Sequence, residues 1–274
     1  MKKFKVLLLT LALVSLLVAP GLVKAETLMM ATTTSTDNTG LLDELAPMFE
    51  KDTGIELKWT AVGTGKALKM GQNCDVDVLM VHAPAAEKKY VDMGALKDRR
   101  EVMYNDFVII GPDSDPAGIK GLPVVQAMKA VADAKAAFVS RGDNSGTNKK
   151  EISLWKVAGM AVPDKAEWYI QTGQGMIKSI TVAEERDAYI MTDRGTYIKY
   201  SANKNGSPEL KVLVEGDKSL FNQYSVLAVN PANCENAKYE LATKFSEWMA
   251  SPNTQKAIGN FKLLGKKLFI PNAQ

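Results

Sequence analysis

The chain has 274 residues, 46% of them hydrophobic and 24% charged, enough for one large core or two modest ones. Its formal charge of +3 includes Lys2, Lys3, Lys5 and Lys24, all in the first 25 residues. Without that segment the 34 basic residues fall to 30 against 31 acidic ones, which excludes partners held by a basic field, nucleic acid and membrane surfaces among them.

Residues 1–25 predict a cleaved secretory signal peptide: "MKKFK" is basic, an apolar run follows over 6–18, and Pro20, Gly21 and "VKA" precede Glu26. A membrane anchor needs roughly 20 apolar residues, and Pro20 and Gly21 come too early for one. The mature chain is therefore expected outside the cytoplasm, where a disulfide persists. Cys74 and Cys234 are expected to form one, with two buried thiols as the alternative. His82 is the only histidine, which argues against a zinc site.

From residue 26 onward, short β-rich runs alternate with helical patterns. "TLMMATT" predicts a strand, and "LLDELAPMFEKDTG" a helix with Leu41, Leu42, Leu45, Met48 and Phe49 on one face and Gly54 as its stop. Strand "IELKWTAV", helix "KALKMGQ", strand "VDVLMV" and helix "APAAEKKYVDMG" complete a βαβαβα series, the pattern of a mostly parallel sheet covered by helices. A strand "MYNDFVIIGP" breaks the rhythm, and the cluster "GPDSDPAG" behind it reads as a linker. The second series runs helix "LPVVQAMKAVADAKA", strand "AAFVS", helix "TNKKEISLWKVAGM", strand "EWYIQTG", helix "MIKSITVAEERD", strand "AYIMTD", helix "TYIKYSA" and strand "LKVLVEG". Strand "QYSVLAVNP" echoes "DFVIIGP", and two helices, "NAKYELATKFSEWMAS" and "NTQKAIGNFK", close the chain. The echo predicts two crossings between two α/β lobes, with the last helices back on the first.

Five strand-to-helix junctions share one chemistry: "TTTSTDNTG" (32–40), "VGTGK" (62–66), "RGDNSGT" (141–147), "TGQGM" (172–176) and "TDRGTY" (192–197). Ligands of open α/β sheets bind outside the carboxyl ends of the strands. Glycine permits close backbone approach, Ser and Thr supply donors, and helix starts offer unpaired N–H groups; together they suit an anion. Any one such loop could simply cap its helix, but five in two successive series point to a ligand. Arg141 is the candidate countercharge, with Asp143 as its partner or orienting group, while Lys66 and Arg194 are weaker candidates. His82, in "VHAP" before Pro84, suits either a helix start or the rim of the anion site. Catalysis finds little support: neither GxxxxGK[ST] nor GxGxxG occurs, and one histidine leaves no evident Ser/His/Asp set or metal cluster. No cofactor is expected.

"TTTSTDNTGLLDELAPMFEKDTGIELKWTAVGTGKAL", "DVDVLMVHAPAAEKKYVDMG", "SRGDNSGTNKKEISLW" and "MTDRGTYI" resemble the periplasmic tungstate-binding proteins of Tup-type ABC transporters, across nearly the whole chain after residue 25. The resemblance implies an α/β, two-lobed type II periplasmic binding protein. Each lobe would be a mostly parallel sheet flanked by helices, with two crossing hinge strands. Residues 26–110 and 222–274 would form lobe 1, and 111–221 lobe 2. It implies a monomeric receptor that takes tungstate, and molybdate beside it, to a permease with a cytoplasmic ATPase. Thr33, Thr34, Ser35, Thr64 and Gly65 would hold the ligand from lobe 1, and Arg141, Ser145, Gly146 and Thr147 from lobe 2. That family's loop more often reads RGDDSGTH, so Asn144 and Asn148 depart from it, which weakens a ligand role for those two. The R-x-D-x-S-G-T step also occurs in phosphate-binding proteins, which keeps phosphate, and sulfate with it, as the alternative ligand. Phosphate near neutrality carries a proton and needs an acceptor, whereas tungstate, molybdate and sulfate need donors only. A phosphorylated-substrate enzyme and a sensory oxyanion-binding module are the alternatives from other classes.

Overall fold

The structure, a computed structural model, describes residues 26–274; the expected signal segment lies outside the described residues. The elements in chain order are β1 (Glu26–Thr33), α1 (Thr34–Asp37), α2 (Leu41–Thr53), β2 (Ile55–Val62), α3 (Thr64–Gln72), β3 (Val78–Val81), α4 (Pro84–Asp92), β4 (Leu96–Gly111) and α5 (Val124–Asp133). There follow β5 (Phe138–Ser140), α6 (Gly146–Val157), β6 (Tyr169–Gln171), α7 (Met176–Glu185), β7 (Tyr189–Asp193), α8 (Arg194–Asn203) and β8 (Lys211–Val214). The chain ends with β9 (Phe221–Val229), α9 (Tyr239–Ala250), α10 (Pro252–Asn260), β10 (Lys262–Leu263), β11 (Lys266–Lys267) and β12 (Ile270–Pro271).

Strand direction explains where a ligand can sit. The order is β2-β1-β3-β9-β4-β7-β5-β6, and β1 pairs in parallel with β2 and β3, as β5 does with β6 and β7. The long strand β4 joins the two sets: its first part pairs antiparallel with β9, from Leu96 to Asp106, and Phe107 to Ile110 pair antiparallel with β7. Since β9 also runs against β3, β3 and β4 point the same way and β7 points back at them. The carboxyl ends of the two parallel sets therefore face each other across the middle of β4. The second crossing is the segment 215–220, whose last three residues form a 3-10 turn that delivers the chain into β9.

Period-two alternation sorts the buried residues onto the sheet faces. Val78 and Met80 join one core and Leu79 and Val81 the other; Val226 and Ala228 divide from Leu227 and Val229 in the same way. Beyond the middle of β4, Phe107 and Ile109 separate from Val108 and Ile110 likewise. The first two cores draw on residues 28–103 and 224–269, with Ile198 reaching in from α8; the other two draw only on 107–220. Phe245 and Trp248 of α9 close on Phe49 of α2 at ring distances of 5.1 and 5.2 Å, so the C-terminal helices cover the β1–β2–β3 side.

Three details differ from the sequence reading. The segment "GPDSDPAG" is no linker but a packed turn: Asp115 accepts from Ile119 and Lys120 N–H, and the Tyr189 hydroxyl donates to Asp115 Oδ1 at 2.7 Å. Strand β4 begins at Leu96 rather than near Met103, because the charged run "KDRRE" finds outlets at the sheet margin: Arg99 on Glu87 and Glu101, and Arg100 on the Ser246 carbonyl. Helix α1 stands inside what reads as a continuous loop, since four residues are too few to show a period.

Cys74 and Cys234 are joined, with Cα atoms 5.5 Å apart, and tie the end of α3 to the turn after β9. Replacing both by alanine is expected to cost about 2–4 kcal/mol, read as a lower midpoint in calorimetry. Neither cysteine lines the central cavity, so ligand affinity is expected to stay unchanged.

Candidate functional site

The facing strand ends enclose a cavity of about 980 Å³. All nine residues singled out from the sequence (Thr33, Thr34, Ser35, Thr64, Gly65, Arg141, Ser145, Gly146 and Thr147) line it, as does His82. The two walls come close: a Cβ added at Gly146 would lie 3.8 Å from both His82 Cε1 and Thr64 Oγ1. Lys199 Nζ on α8 also donates to the Asn38 carbonyl behind α1, and Lys150 Nζ to the Phe221 carbonyl at 3.3 Å.

Each loop handles its helix start differently, and that decides which donors remain free. Thr33 caps α1 by accepting from Thr36 N–H at 3.2 Å, which leaves the Thr34 and Ser35 N–H groups at the open end. Helix α3 starts on Gly63 and α7 on Gly175, neither with a side-chain cap, so their first N–H groups carry the helix-end partial charge uncapped. Ser145 caps α6 through Asn148 N–H at 3.3 Å, leaving Gly146 and Thr147. Helix α8 is the exception: Asp193 accepts from Thr196 N–H at 2.8 Å and from its hydroxyl at 2.6 Å. The chain's own carboxylate thus sets a negative charge at the fifth helix start, whereas none of the other four starts is capped by a charged side chain.

Among the cations, Arg141 is held by Asp143 through Nη2, while its Nε is buried with no partner among the described residues. A buried N–H left unpaired is costly, and the residue that carries it lines the cavity. Asp143 stays below the usual carboxylate range: burial pushes it up, but the Ser145 hydrogen bonds and Arg141 outweigh that. Both its oxygens are engaged, Oδ1 by Ser145 N–H at 3.1 Å and Oδ2 by Arg141. Arg194 leaves the candidate list. Its guanidinium grips Asp106 at 2.5 and 2.6 Å and Glu215 at 2.7 Å, bracing β4 and the second crossing from the start of α8. Lys66 is exposed on the cavity wall.

Behind the Arg141 loop lies a network that sequence reasoning did not find. Glu151, 2% exposed on α6, receives Trp155 Nε1 and the Tyr169 hydroxyl at 2.7 Å each, the Ser140 hydroxyl, and Asn148 Nδ2 at 3.4 Å. Ser140 in turn accepts from Gly142 N–H, and Asn148 Oδ1 from Asn144 N–H at 3.0 Å. Asn148 therefore points inward as a brace, which accounts for an amide there. Burial pushes the Glu151 carboxyl up, and its four donors pull it back in part.

His82 also has partners that no local pattern announces. Its Nδ1 faces Asn222 Oδ1 at 2.9 Å, Asn222 Nδ2 donates to Asn105 Oδ1 at 2.7 Å, and Nε2 stands 3.0 Å from both the Thr33 and Ser35 hydroxyls. Ala83, not His82, occupies the start of α4, where Glu87 accepts its N–H, so a helix-start role for the histidine is set aside.

A profile of the PBP superfamily domain matches residues 23–253. The tungstate-binding protein TupA of Campylobacter jejuni is 53% identical over 240 residues, 88% of this chain and 89% of that protein. TupA of Peptoclostridium acidaminophilum is 46% identical over 251 residues, 90% of this chain and 86% of that one. The chain belongs to the PBP superfamily, among the TupA proteins. Within that family, the solved structure of TupA from Desulfovibrio alaskensis is 67% identical, covers 91% of this chain and 100% of its own, and superposes with a TM-score of 0.88. The TupA match accords with the α/β architecture of helix-flanked sheets described above.

Proposed function

We propose that this protein is the substrate-binding receptor of an ABC importer that captures tungstate, with molybdate as a second ligand, in the cavity between two lobes. The observation that carries the reading is Arg141 on the wall of a cavity lined by the starts of α1, α3, α6 and α7, its buried Nε without a partner among the described residues. The TupA relatives supply the ligand's identity. Thr33, Thr34, Ser35, Thr64 and Gly65 donate from one wall and Arg141, Ser145, Gly146 and Thr147 from the other, dispersing the charge of a dianion over many N–H and O–H groups. Phosphate is the runner-up, because its proton needs an acceptor and the Asp143 oxygens already accept from Ser145 N–H and Arg141, leaving only their remaining lone pairs for it.

Residues 26–106 with 221–274, and residues 107–220, would move as two bodies about the middle of β4 and the 215–220 segment, closing on the anion. The first division falls a few residues before the expected 110 because Phe107 to Ile110 pack with the second pair of cores. The receptor would work in the periplasm after removal of 1–25, as a monomer, presenting its closed form to a permease driven by a cytoplasmic ATPase. Its role is capture, with no chemical step. Calorimetric titration with tungstate, alone and with excess molybdate, phosphate or sulfate, tests this. Tight tungstate binding that survives phosphate and sulfate is expected. Heat from phosphate and none from tungstate would overturn the assignment.

A further inference from the structure

Counting protons in the cluster beneath α1 leads to an inference that rests on the oxyanion reading and deepens it. Asn222 turns Nδ2 to Asn105 and Oδ1 to His82, so His82 Nδ1 must be the protonated nitrogen of the neutral ring. Nε2 then carries a lone pair, and among the described residues only Thr33 and Ser35 stand within reach of it. One of these two hydroxyl protons is spent on the ring and lost to the cavity. Thr33 Oγ1 also accepts from Thr36 N–H and lies 2.7 Å from Thr36 Oγ1 and 3.0 Å from Ser35 Oγ, pairs in which either hydroxyl can donate, so at most one of the Thr33 and Ser35 protons is left for the anion. A proton on Nε2 reverses this arrangement. The ring then donates to the hydroxyl oxygens, both hydroxyls turn their protons to the anion, and a positive charge stands directly behind them.

We propose that His82 takes up a proton from solution when the oxyanion binds, acting through Thr33 and Ser35 as a proton-coupled positioning residue. The arrangement favours an oxyanion that is already fully ionised, because with Nε2 protonated this cluster offers donors only.

The charges around the ring agree. Burial, the largest influence, opposes the protonated form in the free protein, while the Asn222 hydrogen bond and then Asp193, at the start of α8, favour it. The α6 loop presents Arg141 already paired with Asp143, and α4 presents Glu87 paired with Arg99. Lys66 of α3, Lys149 of α6, Lys178 of α7 and Lys199 of α8 share the cavity wall, and Tyr224 of β9 stacks on the ring at 4.7 Å with its phenol pushed up by burial. The ordinary values of carboxylates, lysines and arginines lie well away from neutrality, which leaves the imidazole to titrate there. Free His82 is held below its ordinary value, and an adjacent dianion pulls it upward. Between those two values one proton enters with each anion, so affinity falls about tenfold per pH unit as pH rises through the window. Below the free-state value His82 is already charged and the uptake disappears.

The test is calorimetry with sodium tungstate at a fixed pH near neutrality, in buffers of low and high ionisation enthalpy, for the wild type and His82→Gln. The wild type is expected to show an apparent enthalpy that changes with buffer in the sense of proton uptake. His82→Gln is expected to bind more weakly, with an enthalpy independent of buffer. Clear heat with no buffer dependence in the wild type would overturn this inference alone, as would buffer dependence that survives in His82→Gln. Absence of tungstate heat, with phosphate binding instead, would overturn the ligand assignment and this inference with it.

Discussion

Replacing Arg141 by glutamate is expected to lower tungstate affinity by about a thousandfold or more, the consequence of losing about 4 kcal/mol or more at a desolvated charge contact. Arg141 holds Asp143 with Nη2 and leaves Nε buried and unpaired among the described residues. A carboxylate in its place would face both Asp143 and the incoming dianion, turning the attraction into repulsion. Arg141→Lys is expected to lose less, since it keeps the charge and forfeits the planar fork. Titration calorimetry measures both, and the circular dichroism of each variant should match the wild type because the loop lies at the cavity surface. Unchanged affinity in Arg141→Glu would remove Arg141 from the site and with it the chief support for the oxyanion reading.

Glu151→Ala is expected to be the most damaging single change behind the site, costing about 4 kcal/mol, because it strands buried donors that each carry a desolvation penalty. Those donors are Trp155 Nε1, the Tyr169 and Ser140 hydroxyls and Asn148 Nδ2. The unfolding midpoint should fall on the order of 10 °C, and tungstate affinity should fall with it as Ser140 and Asn148 release Gly142 and Asn144. Glu151→Gln keeps the shape but turns an amide nitrogen toward donors, so a loss of about 1–3 kcal/mol is expected. That variant also reads the carboxyl's titration. With the folded-state value raised above the unfolded one, the folded chain keeps a proton that the unfolded chain has lost, so wild-type stability declines as pH rises through that interval. Denaturation at several pH values should show this slope reduced in Glu151→Gln; an identical slope would mean Glu151 does not titrate differently on folding.

What could be seen in the sequence follows from range. The alternation of strand and helix, the Gly54 stop of α2 and the Ser/Thr/Gly junctions are short-range signals, and all nine candidate residues line one cavity. The Glu151 network needs α6 to meet β5 and β6, and the His82 relay joins positions 33, 82, 105 and 222, which no local window connects. Arg194 and Asp193 mark the opposite failure. Their junction has the composition of a ligand loop, but Asp106 and Glu215 claim the arginine and the helix start claims the aspartate. Composition cannot tell a free donor from one already spent. Strands β10, β11 and β12 are two residues each, too short for any period to register.

The place of β9 in the sheet bears on the order in which the chain can fold. This strand lies between β3 and β4 and is antiparallel to both, yet it begins only at Phe221. Until it is available, β3 has no neighbour on that side and the Val226 and Leu227 positions in the first two cores stand empty. The cores built wholly from residues 107–220 lack nothing by then. The middle of the chain can therefore condense first, while the N-terminal third waits for the C-terminal fifty residues, a long loop closure of the kind that slows folding. Cys74 and Cys234, 160 residues apart in sequence, span the same gap: their bond joins the end of α3 to the turn behind β9 and so belongs to the half that waits.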